Sequence, residues 1–195
     1  MSLSFVLKAV DFAARRHVDQ FRKGAEKVPY VSHPICVARV LSDVIGVTDS
    51  EILAAAVLHD VLEDTVRTRA EYDDLRLELV REFGERVAEI VEELTDDKWL
   101  EKSERKRLQI EHAPEMSIAA ATVKLADKLC NVRDVSKSPP TNWSIERRME
   151  YIAHAEAVVR RLPSGVPSKG VELFLAEAEA ARMRVASTDG IVEGR

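Results

Sequence analysis

The feature that most constrains this chain is the stretch AAAVLHDVLEDTVRT, residues 54 to 68. Five small or aliphatic residues suited to a core run directly into His59, Asp60, Glu63 and Asp64. Burying a carboxylate without a partner is costly. At helical spacing His59 and Glu63 share one stripe, and Asp60 and Asp64 share the neighbouring one, about 100° away. The outcome is a polar patch at the end of a buried helix. Acids at a helix C-terminus oppose the macrodipole, which weighs against a helix end that simply emerges into water. A fold containing this stretch must supply positive charge there, and one metal ion serves histidine and aspartate together.

The rest of the sequence reads as helices around that one. Residues 3–22 carry Phe5, Ala9, Phe12, Ala13 and Val18 at roughly helical spacing, and Gly24 ends the run. SHPICVARVLSDVIG predicts a second helix, with Ser32 or His33 near its start, Pro34 in the first turn and Gly46 past its end. Thr48-x-x-Glu51 is a capping box opening a helix expected to run to about Asp64, and Thr68-x-x-Glu71 opens the next. In ERVAEIVEELTDD, Val87, Ile90, Val91 and Leu94 fall on one face. Residues 98–112 are polar and charged, readable as helix or loop. SIAAATVKLADKLCNVRDV, SIERRMEYIAHAEAVVRRL and VELFLAEAEAARMRV complete the set, separated by KSPPTNW and PSGVPSKG. There is no strand pattern and no internal repeat. The expectation is an all-α helical bundle, one domain over residues 1–186, with a disordered tail at 187–195.

A net charge of -5 argues against a domain-wide basic face for duplex nucleic acid, while leaving room for a local basic pocket. No apolar run is long enough to span a bilayer, and the charged N-terminal stretch does not read as a signal peptide. The cytoplasm is the expected location. The two cysteines, Cys36 and Cys130, form no Cys-x-x-Cys pair, so neither a disulfide framework nor a zinc knuckle is expected.

Two further stretches answer the acidic patch. In VPYVSHPICVA, His33 stands at a loop-to-helix junction, where an imidazole can point into a cleft. In KLADKLCNVRD, Asp127 and Asn131 are four apart, flanked by Lys124 and Lys128, with Leu125, Leu129 and Val132 on the apolar side. An aspartate inside an Ala- and Leu-rich helix is mildly unfavourable on its own. His33, His59, Asp60 and Asp127 together make a two-histidine, two-carboxylate set. Mixed N and O donors suit Mn, Fe or Zn better than Ca or Mg.

The ordered motifs SHP, LHDVLEDT and KLADKLCNVRD resemble those of the HD-domain phosphohydrolases. More narrowly, the chain is similar to the hydrolase domain of the RelA/SpoT proteins and to small stand-alone SpoT-like alarmone hydrolases, from about residue 5 to residue 155. FAARRHVDQFRKG, EELTDDK, ERKRLQIE and WSIERRMEY fit the stand-alone form. The resemblance implies an all-α bundle around one Mn²⁺, with Fe²⁺, Co²⁺ or Zn²⁺ as substitutes, held by His33, His59, Asp60 and Asp127. It implies removal of the 3′-pyrophosphate of (p)ppGpp, giving GDP or GTP and pyrophosphate. Glu63 and Asp64 would position and activate the attacking water. Arg22 and Lys23 would meet the base and phosphates, Asn131 the nucleotide near the metal, and Lys102, Arg147 and Tyr151 further parts of the substrate. A second reading keeps the site but changes the substrate, to the 2′-phosphate of NADPH or another nucleotide. A non-catalytic nucleotide sensor is disfavoured by the presence of both Glu63 and Asp64. No synthetase-like domain fits in the remaining length, and the sequence leaves the oligomeric state open. Cys130 departs from the aromatic or histidine common in relatives and reads as a small core filler. The stretch around AEYDDLR reads as a longer connecting helix.

Overall fold

The computed structural model describes residues 3–24 and 26–187. Helices are α1 (Leu3–Arg16), α2 (Ser32–Arg39), α3 (Ser50–Leu58), α4 (Val61–Asp64), α5 (Arg69–Phe83), α6 (Glu85–Leu94), α7 (Lys102–His112), α8 (Ile118–Lys137), α9 (Ile145–Val159) and α10 (Ser168–Ser187). A π-helical turn, Val40–Ile45, extends α2, and a 3₁₀ turn, Ala113–Glu115, follows α7. Extended pairing among the described residues is limited to an isolated antiparallel bridge between Phe21 and Pro29. The all-α expectation holds.

Helix α3 lies at the centre because its side chains are small. Ala54, Ala55 and Ala56 are fully buried, and their short side chains let α1, α2, α6 and α8 close around them. Helix α8 is the second central element, buried at every position from Ala120 to Cys130. α10 lies along it, and a Cβ placed on Gly170 would stand 2.8 Å from Leu125 Cδ2. That close approach explains a glycine inside a helix.

The helix starts follow side-chain capping. Thr68, Ser117 and Ser144 accept hydrogen bonds from the backbone N–H groups of Glu71, Ala120 and Arg147. One expected cap moves: α3 is capped by Asp49, which accepts from Glu51 N at 2.9 Å, and not by Thr48. Asp49 also pairs with Arg86 at 2.8 Å, a tertiary contact that Thr48 could not make.

Other expectations also change. α1 ends at Arg16 and does not continue to residue 22. Beyond it the chain turns into a short two-sided loop, tied by Arg22 N to Val28 O (2.9 Å) and Tyr30 N to Gln20 O (2.8 Å). The helix expected to run from 48 to 64 breaks at His59–Asp60 and restarts as α4. Residues 98–112 contain a true helix, α7, although none of its side chains is buried. The last helix reaches Ser187, the first residue of the expected tail, and residues 188–195 lie outside the described residues.

Candidate active site

The break after α3 creates the centre of the site. His59 Nδ1 donates to the Ala56 carbonyl at 2.8 Å, the acceptor that residue 60 would use if the helix ran on. That bond fixes the imidazole tautomer and leaves Nε2 as an acceptor. His59 Nε2 is buried and has no hydrogen-bond partner. It faces Asp60 Oδ2 at 3.1 Å and Asp127 Oδ1 at 3.6 Å. His33, at the start of α2, brings its Nε2 to 3.0 Å from Asp127 Oδ1 and 3.9 Å from Asp60 Oδ2. Donor atoms from three separate parts of the chain therefore approach one another, with Asp127 Oδ1 joined to the two histidines.

This donor set fits a divalent cation. Donors to one transition-metal ion, each about 2.0–2.3 Å from it, lie about 3–4 Å from one another; the histidine–carboxylate distances here run from 3.0 to 3.9 Å, and His33, His59 and Asp60 offer donor atoms all within 4.8 Å of one another. A lone pair buried between two carboxylates is unfavourable unless positive charge separates them. Without an ion, the electrostatics show the same demand for positive charge at this place, met there by a proton. Burial disfavours charge on His59, yet Asp60 and Asp127 raise its pKa well above the ordinary histidine value. Burial likewise opposes ionisation of Asp60 and Asp127, but His59 and His33 hold both below the ordinary carboxylate range.

A ring of polar groups orients these donors. Tyr30 Oη donates to Asp60 Oδ2 at 2.7 Å. Burial, and then Asp60, raises the Tyr30 phenol pKa, so the hydroxyl stays a donor. Asn131 Nδ2 donates to Asp127 Oδ1 at 2.6 Å. Arg22 donates to Asn131 Oδ1 at 3.4 Å, pairs with Asp134, and lies 5.6 Å from the centre of the Tyr30 ring. Lys128 is buried beside the centre, 3.9 Å from Asp127 Oδ2, and donates to Gln109 Oε1 at 3.2 Å. Its burial lowers the ammonium pKa.

Glu63 and Asp64 flank the donor set without joining it. Glu63 Oε2 accepts from Asp96 N at 3.1 Å, and Oε1 stands 3.5 Å from Arg105 Nη1. Burial, and then the Asp96 carboxylate, pushes the Glu63 pKa up to about 7. Desolvation and Asp60 raise the Asp64 carboxyl too, while a hydrogen bond from Tyr30 opposes them. The Asp64 backbone carbonyl is held by Gln20 Nε2 at 2.9 Å.

The remaining expected residues fall into two groups. Lys102, at the start of α7, has its pKa lowered by desolvation and by the cations of Arg147, Lys106, Lys23 and Arg105. Lys102 thus lies within electrostatic reach of four other basic side chains, from the α1–α2 loop, α7 and α9. Arg147 also lies over the Trp143 ring, 4.4 Å from its centre. Tyr151 packs against Trp143 with ring centres 5.3 Å apart. Burial, and then Asp127, raises its phenol pKa, which links this aromatic pair to the donor set.

The sequence reading assigned no role to Tyr30, Asp96, Arg105, Lys106, Asp134 or Trp143. Two of them left a signal. Tyr30 stands three residues before His33, and Asp134 three after Asn131, one helical turn along the same side. Asp96 and Arg105 meet Glu63 only through the packing of α6 and α7 beside α4, for which the sequence holds no local sign.

With this geometry in view, comparison with known proteins is informative. The HD domain family matches residues 9–153. The chain is 50% identical over 159 residues to guanosine-3′,5′-bis(diphosphate) 3′-pyrophosphohydrolase MESH1 of Xenopus tropicalis, covering 82% of this chain and 85% of that one. It is also 50% identical over 157 residues to the Homo sapiens MESH1, covering 80% and 84%. A solved structure of a metazoan ortholog of SpoT, described as hydrolyzing ppGpp and playing a role in starvation responses, superposes with a TM-score of 0.78. It shares 40% identity, over 90% of this chain and 97% of that one. The paired His59–Asp60 at the helix break, completed by His33 and Asp127, is thus set in a fold shared with these proteins, and the chain belongs to the HD-domain family, alongside the MESH1 proteins.

Proposed function

We propose that this chain hydrolyses (p)ppGpp at the 3′ position, releasing pyrophosphate and leaving GDP or GTP. The observation that carries this reading is a buried two-histidine, two-carboxylate donor set, in a fold that also gathers four basic side chains around Lys102. The first suits a divalent metal and the second a polyphosphate. The 3′-pyrophosphohydrolase names of the relatives point to the same chemistry.

His33, His59, Asp60 and Asp127 would hold the ion, for which we propose Mn²⁺, with Fe²⁺, Co²⁺ or Zn²⁺ as substitutes. Bound there, it would polarise a phosphoryl oxygen and make water a stronger nucleophile at neutral pH. Glu63 takes the proton from the attacking water, a role supported by a carboxyl pKa near the working pH. Asp64 orients that water. Arg22 offers a planar face to the guanine, and Asn131 contacts the nucleotide beside the donor set. Lys23, Lys102 and Arg147 receive the 5′-diphosphate, with Tyr151 packed against the sugar. Selectivity for the 3′ end then comes from positioning, since the two pyrophosphates are chemically alike. Residues 1–186 act as one hydrolase unit, supported by a core that continues from Ala9 to Val185. The reading includes the cytoplasm as its place of action, where thiols such as Cys36 and Cys130 stay reduced.

Incubation of the purified protein with ppGpp and Mn²⁺, with products resolved by ion exchange, tests the reading. GDP and pyrophosphate are expected. Orthophosphate with accumulating ppGp contradicts the 3′ assignment. No turnover of ppGpp beside brisk release of phosphate from NADPH replaces the substrate.

A further inference from the structure

Two helices, α2 and α8, deliver half of the donor set, and they touch at a second place. His33 on α2 meets Asp127 on α8 at 3.0 Å. One turn further along both helices, Cys36 and Cys130 bring their sulfurs to 3.8 Å from each other. Both are free thiols, 94 residues apart in sequence. The two contacts are neighbouring rungs between the same pair of helices, so a change in one is felt by the other.

The two thiols differ in the way a sensing pair requires. Cys36 is partly exposed, whereas Cys130 is 2% exposed. The Cys130 S–H donates to Cys36, which, helped by Arg39 one turn away, lowers the Cys36 pKa to about 6 against the effect of burial. The same hydrogen bond and its burial raise the Cys130 thiol. Cys36 is therefore the accessible thiolate, and Cys130 the protonated partner behind it. Thiolate character and access determine which cysteine a peroxide attacks.

We propose that Cys36 and Cys130 are a peroxide-responsive pair, and that their oxidation to a disulfide disturbs the His33–Asp127 side of the donor set and suppresses hydrolysis. Hydrogen peroxide is the oxidant. The Cys36 thiolate attacks one peroxide oxygen and becomes a sulfenic acid, releasing hydroxide. The Cys130 sulfur then displaces the sulfenic hydroxyl, its proton leaving with that hydroxyl as water. In sum, two thiols and one peroxide give one disulfide and two waters, and the sulfurs supply the two electrons. Closing the pair to a bond of about 2 Å draws α2 and α8 together beside the donors. Metal-site distances are held within about 0.2 Å, so a movement of that size one turn away is large for the site.

The test uses the metal-loaded protein, treated with a small excess of hydrogen peroxide and quenched with catalase. Free thiols are counted, the Cys36–Cys130 peptide is sought by mass spectrometry, and ppGpp hydrolysis is measured on the same sample. Both thiols should disappear into one linked peptide, with turnover falling about 10-fold or more and returning after dithiothreitol. Cys36→Ser should keep its turnover under peroxide. Cys130→Ser should give no linked peptide and should expose a Cys36 sulfenic acid to a dimedone probe. Three results overturn the proposal: no linked peptide, a linked peptide with unchanged turnover, or equal inactivation of the Cys36→Ser protein, which would place the damage at the metal. Thiol counts and the linked peptide do not depend on hydrolysis, so they remain readable if ppGpp is not the substrate. Cys36 is partly exposed, so its serine variant stays informative if Cys130→Ser fails to fold.

Discussion

At the scale of the single residue, Glu63 carries the most specific consequence. Its carboxyl is raised to about 7 by burial and by Asp96. Replacing it with glutamine should lower kcat by roughly 10²–10⁴-fold, the range for loss of a general base. Metal content, measured by atomic emission, should be unchanged because Glu63 is not among the donors. The same shift governs stability. A carboxyl whose folded pKa exceeds its unfolded value stabilises the fold fully below the unfolded pKa, near 4.5, and loses that contribution as pH rises through about 7. In metal-free protein, Glu63→Gln should therefore raise the Tm at pH 8 and leave it nearly unchanged at pH 4.5; a Tm gain of equal size at both pH values would refute the ionisation account. Tyr30 offers a second case. Its hydroxyl is a donor to Asp60 at 2.7 Å, so Tyr30→Phe should weaken Mn²⁺ binding by about 10–100-fold, measured by competition with a chelating dye. His33, His59, Asp60 and Asp127 could be read from the sequence because each lies in a short motif whose residue types are odd for a helix. Tyr30 was only half legible: it stands three residues before His33, but the Asp60 it serves is remote in sequence.

At the scale of the element, local rules set where helices begin, and tertiary contacts correct them. Thr48-x-x-Glu51 has the letters of a capping box, yet Asp49 is the cap because Arg86 on α6 holds its second oxygen. Asp49→Ala should cost about 1–2 kcal/mol by denaturant unfolding, whereas Thr48→Ala at an exposed position should stay within about 0.5 kcal/mol. Equal losses would restore Thr48 as the cap. The break at His59–Asp60 was illegible for a related reason. The helical period runs through it without interruption, and only the bond from His59 to the Ala56 carbonyl shows where the ladder stops. The π-helical turn at Val40–Ile45 likewise leaves no mark in the pattern of apolar residues. Helix α7 was ambiguous in sequence because none of its side chains is buried. Its place in the structure rests on polar contacts, such as Arg105 to Glu63 and Gln109 to Lys128.

At the scale of the whole molecule, α8 divides the work of binding from the work of support. Successive residues of a helix turn by about 100°. Asp127, Asn131 and Asp134 therefore face one side, while Leu125, Arg133 and Ser136 face roughly the other. The second side belongs to α10: Arg133 pairs with Glu177 at 3.0 Å, Arg184 donates to Ser136 at 3.2 Å, and Gly170 abuts Leu125. Phe174, fully buried, is the largest side chain α10 adds to the core. Truncating it should cost about 3–5 kcal/mol and lower the Tm by about 10 °C. The residues on the opposite face are untouched, so the stabilisation by Mn²⁺ expected for the parent should be matched in the Phe174→Ala protein, because ligand stabilisation depends on affinity for the folded state and not on its total stability. Thermal melts of both proteins, with Mn²⁺ and with a chelator, decide the matter. A similar gap between the two melts in parent and variant makes α10 a support for the fold alone. A gap that vanishes in the variant would mean that α10 sets the position of Asp127 and is part of the metal centre's design.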